Sequence, residues 1–120
     1  GVAFRSRDSG NQYVVNVYGW ATQPWDSLQF NYLKVPSSIM VAEELLKDHM
    51  PFDAVEESQW YTMKVQAKGP VVSAKIWLKS RPEPNTWLSA EHYAYTSGYI
   101  GLGYMDGNHR FDNFYVQVLE

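Results

Sequence analysis

The sequence contains no cysteine, so neither disulfides nor thiolate metal sites contribute to the fold, and the redox compartment stays open. It has no apolar run near the ~18 residues of a membrane-spanning helix, and "GVAFRSRDSG" carries no basic-then-apolar leader. A soluble chain, or the mature remainder of one, is expected. Positive charge is not in excess: 10 Lys and Arg stand against 13 Asp and Glu, a net charge of -3. That balance argues against nucleic acid and anionic membranes, which recruit basic surfaces. No Asn-x-Ser/Thr acceptor, internal repeat, charge block or low-complexity linker interrupts the 120 residues. One domain over 1–120 is expected from that length.

Aromatic residues, at 16% with five Trp and nine Tyr, are abundant. Rings beside β-branched neighbours favour half-buried pleated surfaces. Period-two alternation agrees: Tyr61, Met63, Val65 and Ala67 alternate with Thr62, Lys64 and Gln66. Likewise Val72, Ala74, Ile76 and Leu78 alternate with Ser73, Lys75 and Trp77. Strands are predicted near 2–6, 12–19, 27–35, 59–68, 70–79, 88–95, 98–105 and 111–119. Turns at Asp8-Ser9-Gly10-Asn11, Lys68-Gly69-Pro70 and Asp106-Gly107-Asn108 join three hairpins. "SSIMVAEELLKDHM" mixes signals, because Val41, Leu45, Leu46 and Met50 fall at roughly helical spacing between Pro36 and Pro51. A strand followed by a short helical turn is predicted there. Buried positions should include Tyr61, Met63, Val65, Val72, Ala74, Ile76, Leu102, Phe114, Val116 and Val118, and Trp60 should pack inward.

The order "GVAFRSRDSGNQYVVNVY", "WYTMKVQAKGPVVSAKIW", "RPEPNTW" and "SGYIGLGYMDGNHRFDNFYV" resembles the later two thirds of a laminin-G-like, concanavalin A-like jelly roll. The resemblance implies an all-β sandwich of two antiparallel sheets. It also implies further strands before Phe4, so the sheet is expected to be completed by a missing N-terminal segment or by another chain. The family is functionally mixed, and its fold alone carries no activity.

Candidate site residues follow from chemistry. Trp77 and Trp87 flank "LKSRPEPNT" and have two readings: a flat indole platform for a sugar, or rings closing the end of the sandwich. Trp20 and Trp25, in "GWATQPWDS", sit in a loop where an aromatic has less structural reason to be. The expected glycan contacts are Trp20, Trp25 and Trp87, with Asp26, Arg81 and Glu83 supplying polar groups. Asp112 in "RFDNFYV" shares a predicted strand face with Phe114 and Val116. An inward carboxylate needs hydrogen bonds or a cation, and related sandwiches place calcium near such an aspartate. Turn capping is the competing reading.

His49, His92 and His109 are widely separated, without a zinc-ligand spacing. No Gly-x-Ser-x-Gly elbow is present, and the adjacent pairs Glu43-Glu44 and Glu56-Glu57 diverge on a strand. The chain therefore reads as noncatalytic: a lectin-like carbohydrate-binding or adhesion module displayed in an oligomeric surface or fibre assembly, extracellular or on a virion. The alternatives are a structural phage tail component without sugar binding, and part of a glycoside-processing enzyme resembling keto-disaccharide hydrolases.

Overall fold

The computed structural model describes residues 1–18, 27–45, 59–103 and 110–117. Within them the chain is all-β, with two antiparallel sheets and no helix. The strands are β1 (Val2–Asp8), β2 (Asn11–Tyr18), β3 (Ser27–Lys34), β4 (Ser37–Leu45), β5 (Tyr61–Lys68), β6 (Val71–Leu78), β7 (Leu88–Glu91) and β8 (Tyr99–Leu102). One sheet has the order β4-β3-β2-β1-β8 and the other β5-β6-β7.

Turn chemistry explains the tight hairpins. Between β1 and β2 the Asp8 carboxylate accepts hydrogen bonds from the Gly10 amide at 2.8 Å and from Asn11 Nδ2 at 2.9 Å, a side chain holding its own turn. Between β5 and β6 Gly69 takes φ 56°, which costs a residue without a Cβ nothing. β5 and β6 then pair without a bulge from Tyr61↔Leu78 to Lys68↔Val71.

The core lies between the sheets. Phe4, Tyr13, Val15, Leu28 and Phe30 meet Val72, Ala74, Ile76 and Leu88, and Tyr95 enters from the segment after β7. Tyr61, Met63 and Val65 are partly buried against this cluster. The alternation read for β6 holds on its core side, where Val72, Ala74, Ile76 and Leu78 are buried.

Several expectations are corrected. Residues 111–117 form no strand and no sheet pairing. Asn113 has φ 54°, which interrupts the extended run between Asp112 and Phe114. Without a partner that alternation has no covered face, so Phe114 and Val116 are exposed. Leu102 is exposed too, at the end of the short edge strand β8. Trp60 precedes β5 and is 48% exposed rather than packed inward. The segment 88–95 keeps only Leu88–Glu91 in the sheet, because His92–Tyr95 turn across toward the five-stranded sheet. "SSIMVAEEL" is strand β4; the predicted helical turn, the Asp106-Gly107-Asn108 turn and Val118 lie outside the described residues.

Candidate ligand-binding site

On β6 the positions between the core residues face outward, and Lys75 and Trp77 stand there. Yet Lys75 is only 3% exposed, an unusual state for a lysine. The connection from β6 to β7 folds back over the outer face of the three-stranded sheet and encloses it. Lys75 Nζ donates to Glu83 Oε2 at 2.9 Å and to the Pro84 carbonyl at 2.7 Å. The Trp87 ring lies over the same ammonium at 4.1 Å, and the Trp77 ring centroid is 5.8 Å away. A cation desolvated against an indole face contributes up to ~2 kcal/mol, so the Trp87 ring is fixed rather than free to swing.

Register creates a need that Glu83 meets. Lys64 and Lys75 are direct cross-strand partners, and like charges opposite one another destabilise a sheet. Glu83 bridges them, with Oε1 at 3.6 Å from Lys64 Nζ. Its carboxyl is held below the ordinary value of 4.5, first by the hydrogen bond from Lys75 and further by Lys64, with partial burial opposing. A depressed folded value means stability that is present above about 4.5 and is lost as pH falls through the folded value. Asp8, lowered by Asn11 and the Gly10 amide, acts in the same direction. We therefore expect Glu83→Gln to flatten part of the acid limb of a urea-midpoint profile between pH 6 and 3. A parallel profile for parent and variant would refute the coupling.

Of the predicted contact residues, Glu83 and Trp87 are brought together here. Arg81 is exposed in the same connection, its amide donating to the Leu78 carbonyl at 2.9 Å. Trp20, Trp25 and Asp26 lie outside the described residues. Asp112 is exposed, contrary to its predicted inward face, and its Oδ1 accepts the Asn113 amide at 2.9 Å. Among the described residues no group of three or more His, Asp or Glu side chains gathers as a metal site. Lys75, the centre of the arrangement, was missed as a site residue. Its signal was a lysine flanked by Ala74 and Ile76, followed by a glutamate and a tryptophan at Glu83 and Trp87.

A second cluster lies between the sheets. Tyr13 is fully buried; its hydroxyl accepts the Tyr95 amide at 3.0 Å and shares a 2.8 Å hydrogen bond with His92 Nδ1. His92 in turn packs against Tyr32 in a tilted arrangement, 4.6 Å between centroids. Burial pushes the Tyr95 phenol up, with Tyr32 adding to the shift, and that hydroxyl donates to the Leu33 carbonyl at 2.8 Å. These partners are mutually satisfied, as buried polar groups require.

Comparison with known proteins adds no relative: no family model, no curated protein and no solved structure matches the chain.

Proposed function

We propose that the chain is a noncatalytic carbohydrate-recognition module of laminin-G-like, jelly-roll type. In this reading it works within a larger extracellular surface or fibre assembly, and its glycan contact is the Trp77 and Trp87 face of the three-stranded sheet. The observation that carries the reading is the pair of partly exposed indoles held around the buried Lys75 ammonium. A rigid aromatic surface binds the apolar C–H face of a pyranose at little entropic cost, while Glu83 beside it accepts from hydroxyls and Arg81 is exposed in the same connection. Among the described residues the ion pairs of Lys64 and Lys75 go to Glu83 alone. A single carboxylate already engaged by two ammoniums suits binding better than acid–base chemistry, which needs a second group.

The assembly part of the proposal draws support from β8. Tyr99 is 80% exposed, and Ile100 and Leu102 are also open to solvent on this edge strand. An exposed apolar edge is a place where another strand pairs.

Calorimetric titration with a panel of neutral and acidic oligosaccharides tests the recognition reading. Weak binding, lost at least tenfold in Trp87→Ala and Trp77→Ala with the urea midpoint changed little, is the expected result. Parental affinity in both variants would overturn it.

A further inference from the structure

The inner face of the five-stranded sheet continues past its apolar core. Along β2 the inward positions run Val15, Tyr13, Asn11, and along β3 they run Phe30, Tyr32, Lys34, with Asn11 opposite Lys34 in register. The three-stranded sheet does not cover this end. There the chain leaves an open cavity of about 510 Å³, lined by Arg7, Asp8, Asn11, Tyr32, Lys34 and Tyr95. That volume is within the ~300–1,000 Å³ of small-molecule sites.

One wall is built unusually firmly. Tyr95 is anchored through its amide to Tyr13, through its hydroxyl to Leu33, and through its carbonyl, which accepts from Arg5 Nη1 at 3.2 Å. Arg5 itself has φ 47° and sits where the pairing of β1 slips against both β2 and β8. A non-glycine residue held in the left-handed region of a bulge is strain that surrounding structure must maintain, and bulges re-aim neighbouring side chains. Here the neighbour is Arg7, whose guanidinium is 5.9 Å from the Tyr95 ring centroid.

The charges in the cavity are unequal in number. Among the described residues no carboxylate lies within ion-pair distance of Arg7 or Lys34. Asp8, the acidic residue of the lining, is kept ionised by its hydrogen bonds from Asn11 Nδ2 and the Gly10 amide, so the lining carries two positive charges against one negative. Two cations therefore face the opening with Asp8 and Asn11 as polar neighbours and phenol rings as a floor.

The geometry points to a second binding site at this mouth, for an acidic saccharide such as a hexuronate. Its carboxylate meets Arg7 and Lys34, its hydroxyls meet Asp8 and Asn11, and its ring lies along Tyr32. An Arg fork and a Lys point charge are the groups that hold a carboxylate. The site does not rest on the tryptophan face described above, which belongs to the other sheet.

Titration of the ¹⁵N-labelled chain with D-glucuronate, D-glucose and inorganic sulfate tests it, read by amide shifts and calorimetry. Glucuronate should produce saturable shifts at Asn11, Lys34 and Tyr95, weakening with added salt, while glucose leaves them unchanged. Arg7→Gln and Lys34→Gln, both at exposed positions, should each weaken glucuronate at least tenfold and keep the parental spectrum elsewhere. Trp87→Ala should bind glucuronate as the parent does, so the two sites fail or stand separately. Equal binding of glucose, sulfate binding as tightly as glucuronate, or parental affinity in both charge variants would each overturn the proposal.

Discussion

Tyr13→Ala is expected to destabilise the fold by about 3–5 kcal/mol, the range for removing a large aromatic from a core, and Tyr13→Phe by about 1–3 kcal/mol. Tyr13 is 0% exposed and its ring contacts Phe30 at 5.2 Å, Phe4 at 5.5 Å and Tyr95 at 5.0 Å between centroids. Alanine empties that space, and the sheets on either side cannot collapse into it without losing the Tyr95 anchor. Phenylalanine keeps the volume but strips the Tyr95 amide and His92 of their shared partner, leaving a buried donor unpaired. The loss expected for alanine is a large fraction of a domain's whole stability, about 5–15 kcal/mol, so urea midpoints should be compared at low temperature. A phenylalanine variant as stable as the parent would show that the hydroxyl adds nothing to the joint between the sheets.

Gly98→Ala should disrupt the β1–β8 pairing. A Cβ at this position would stand 2.5 Å from the Arg5 carbonyl carbon and 2.5 Å from Ser6 O, with φ already at 146°. The obstructing atoms are main chain, in the bulge of β1, and have no rotamer to change. Overpacking of about 1–3 kcal/mol adds to a backbone strain of similar size. Hydrogen exchange should report it as lost protection in Tyr99–Leu102 ahead of β2 and β3. By contrast Gly69→Asn should be nearly silent, because nothing lies within 4 Å of a Cβ there and φ is 56°, a region asparagine tolerates. Full protection of β8 in Gly98→Ala would contradict the argument.

Legibility in the sequence followed the physics of each element. β5 and β6 were readable because a two-residue period and a Gly-Pro turn act within twenty residues, and the same holds for the Asp8–Asn11 hairpin. Residues 111–117 misled because alternation in Phe114 and Val116 reports a half-covered surface only if a sheet supplies the cover. Asn113, a residue type that tolerates the left-handed region it adopts here, is the local sign of the break. Trp60 misled for a related reason: hydrophobicity predicts burial on average, while its place just before β5 leaves it outside the core. Glu83 and Trp87 were legible as loop chemistry beside Pro82 and Pro84. Lys75 was not, since its burial comes from a connection folding back onto the outer face, and no period in the sequence encodes that return.

The order of the strands has a kinetic consequence. Among the described residues every pairing but one joins strands that follow each other in the chain: β1 to β2, β2 to β3, β3 to β4, β5 to β6 and β6 to β7. Each can close over a short loop at modest entropic cost. The exception is β1 with β8, where Val2 lies opposite Leu102, so among the strand pairings this seam alone closes a long loop, and it is the one whose formation topology makes slow. Release of β8 opens the five-stranded sheet along a single edge and leaves the run of hairpins from β1 to β4 paired. The five-stranded sheet is thus divided by its own connectivity into a meander that holds together locally and one late-closing seam.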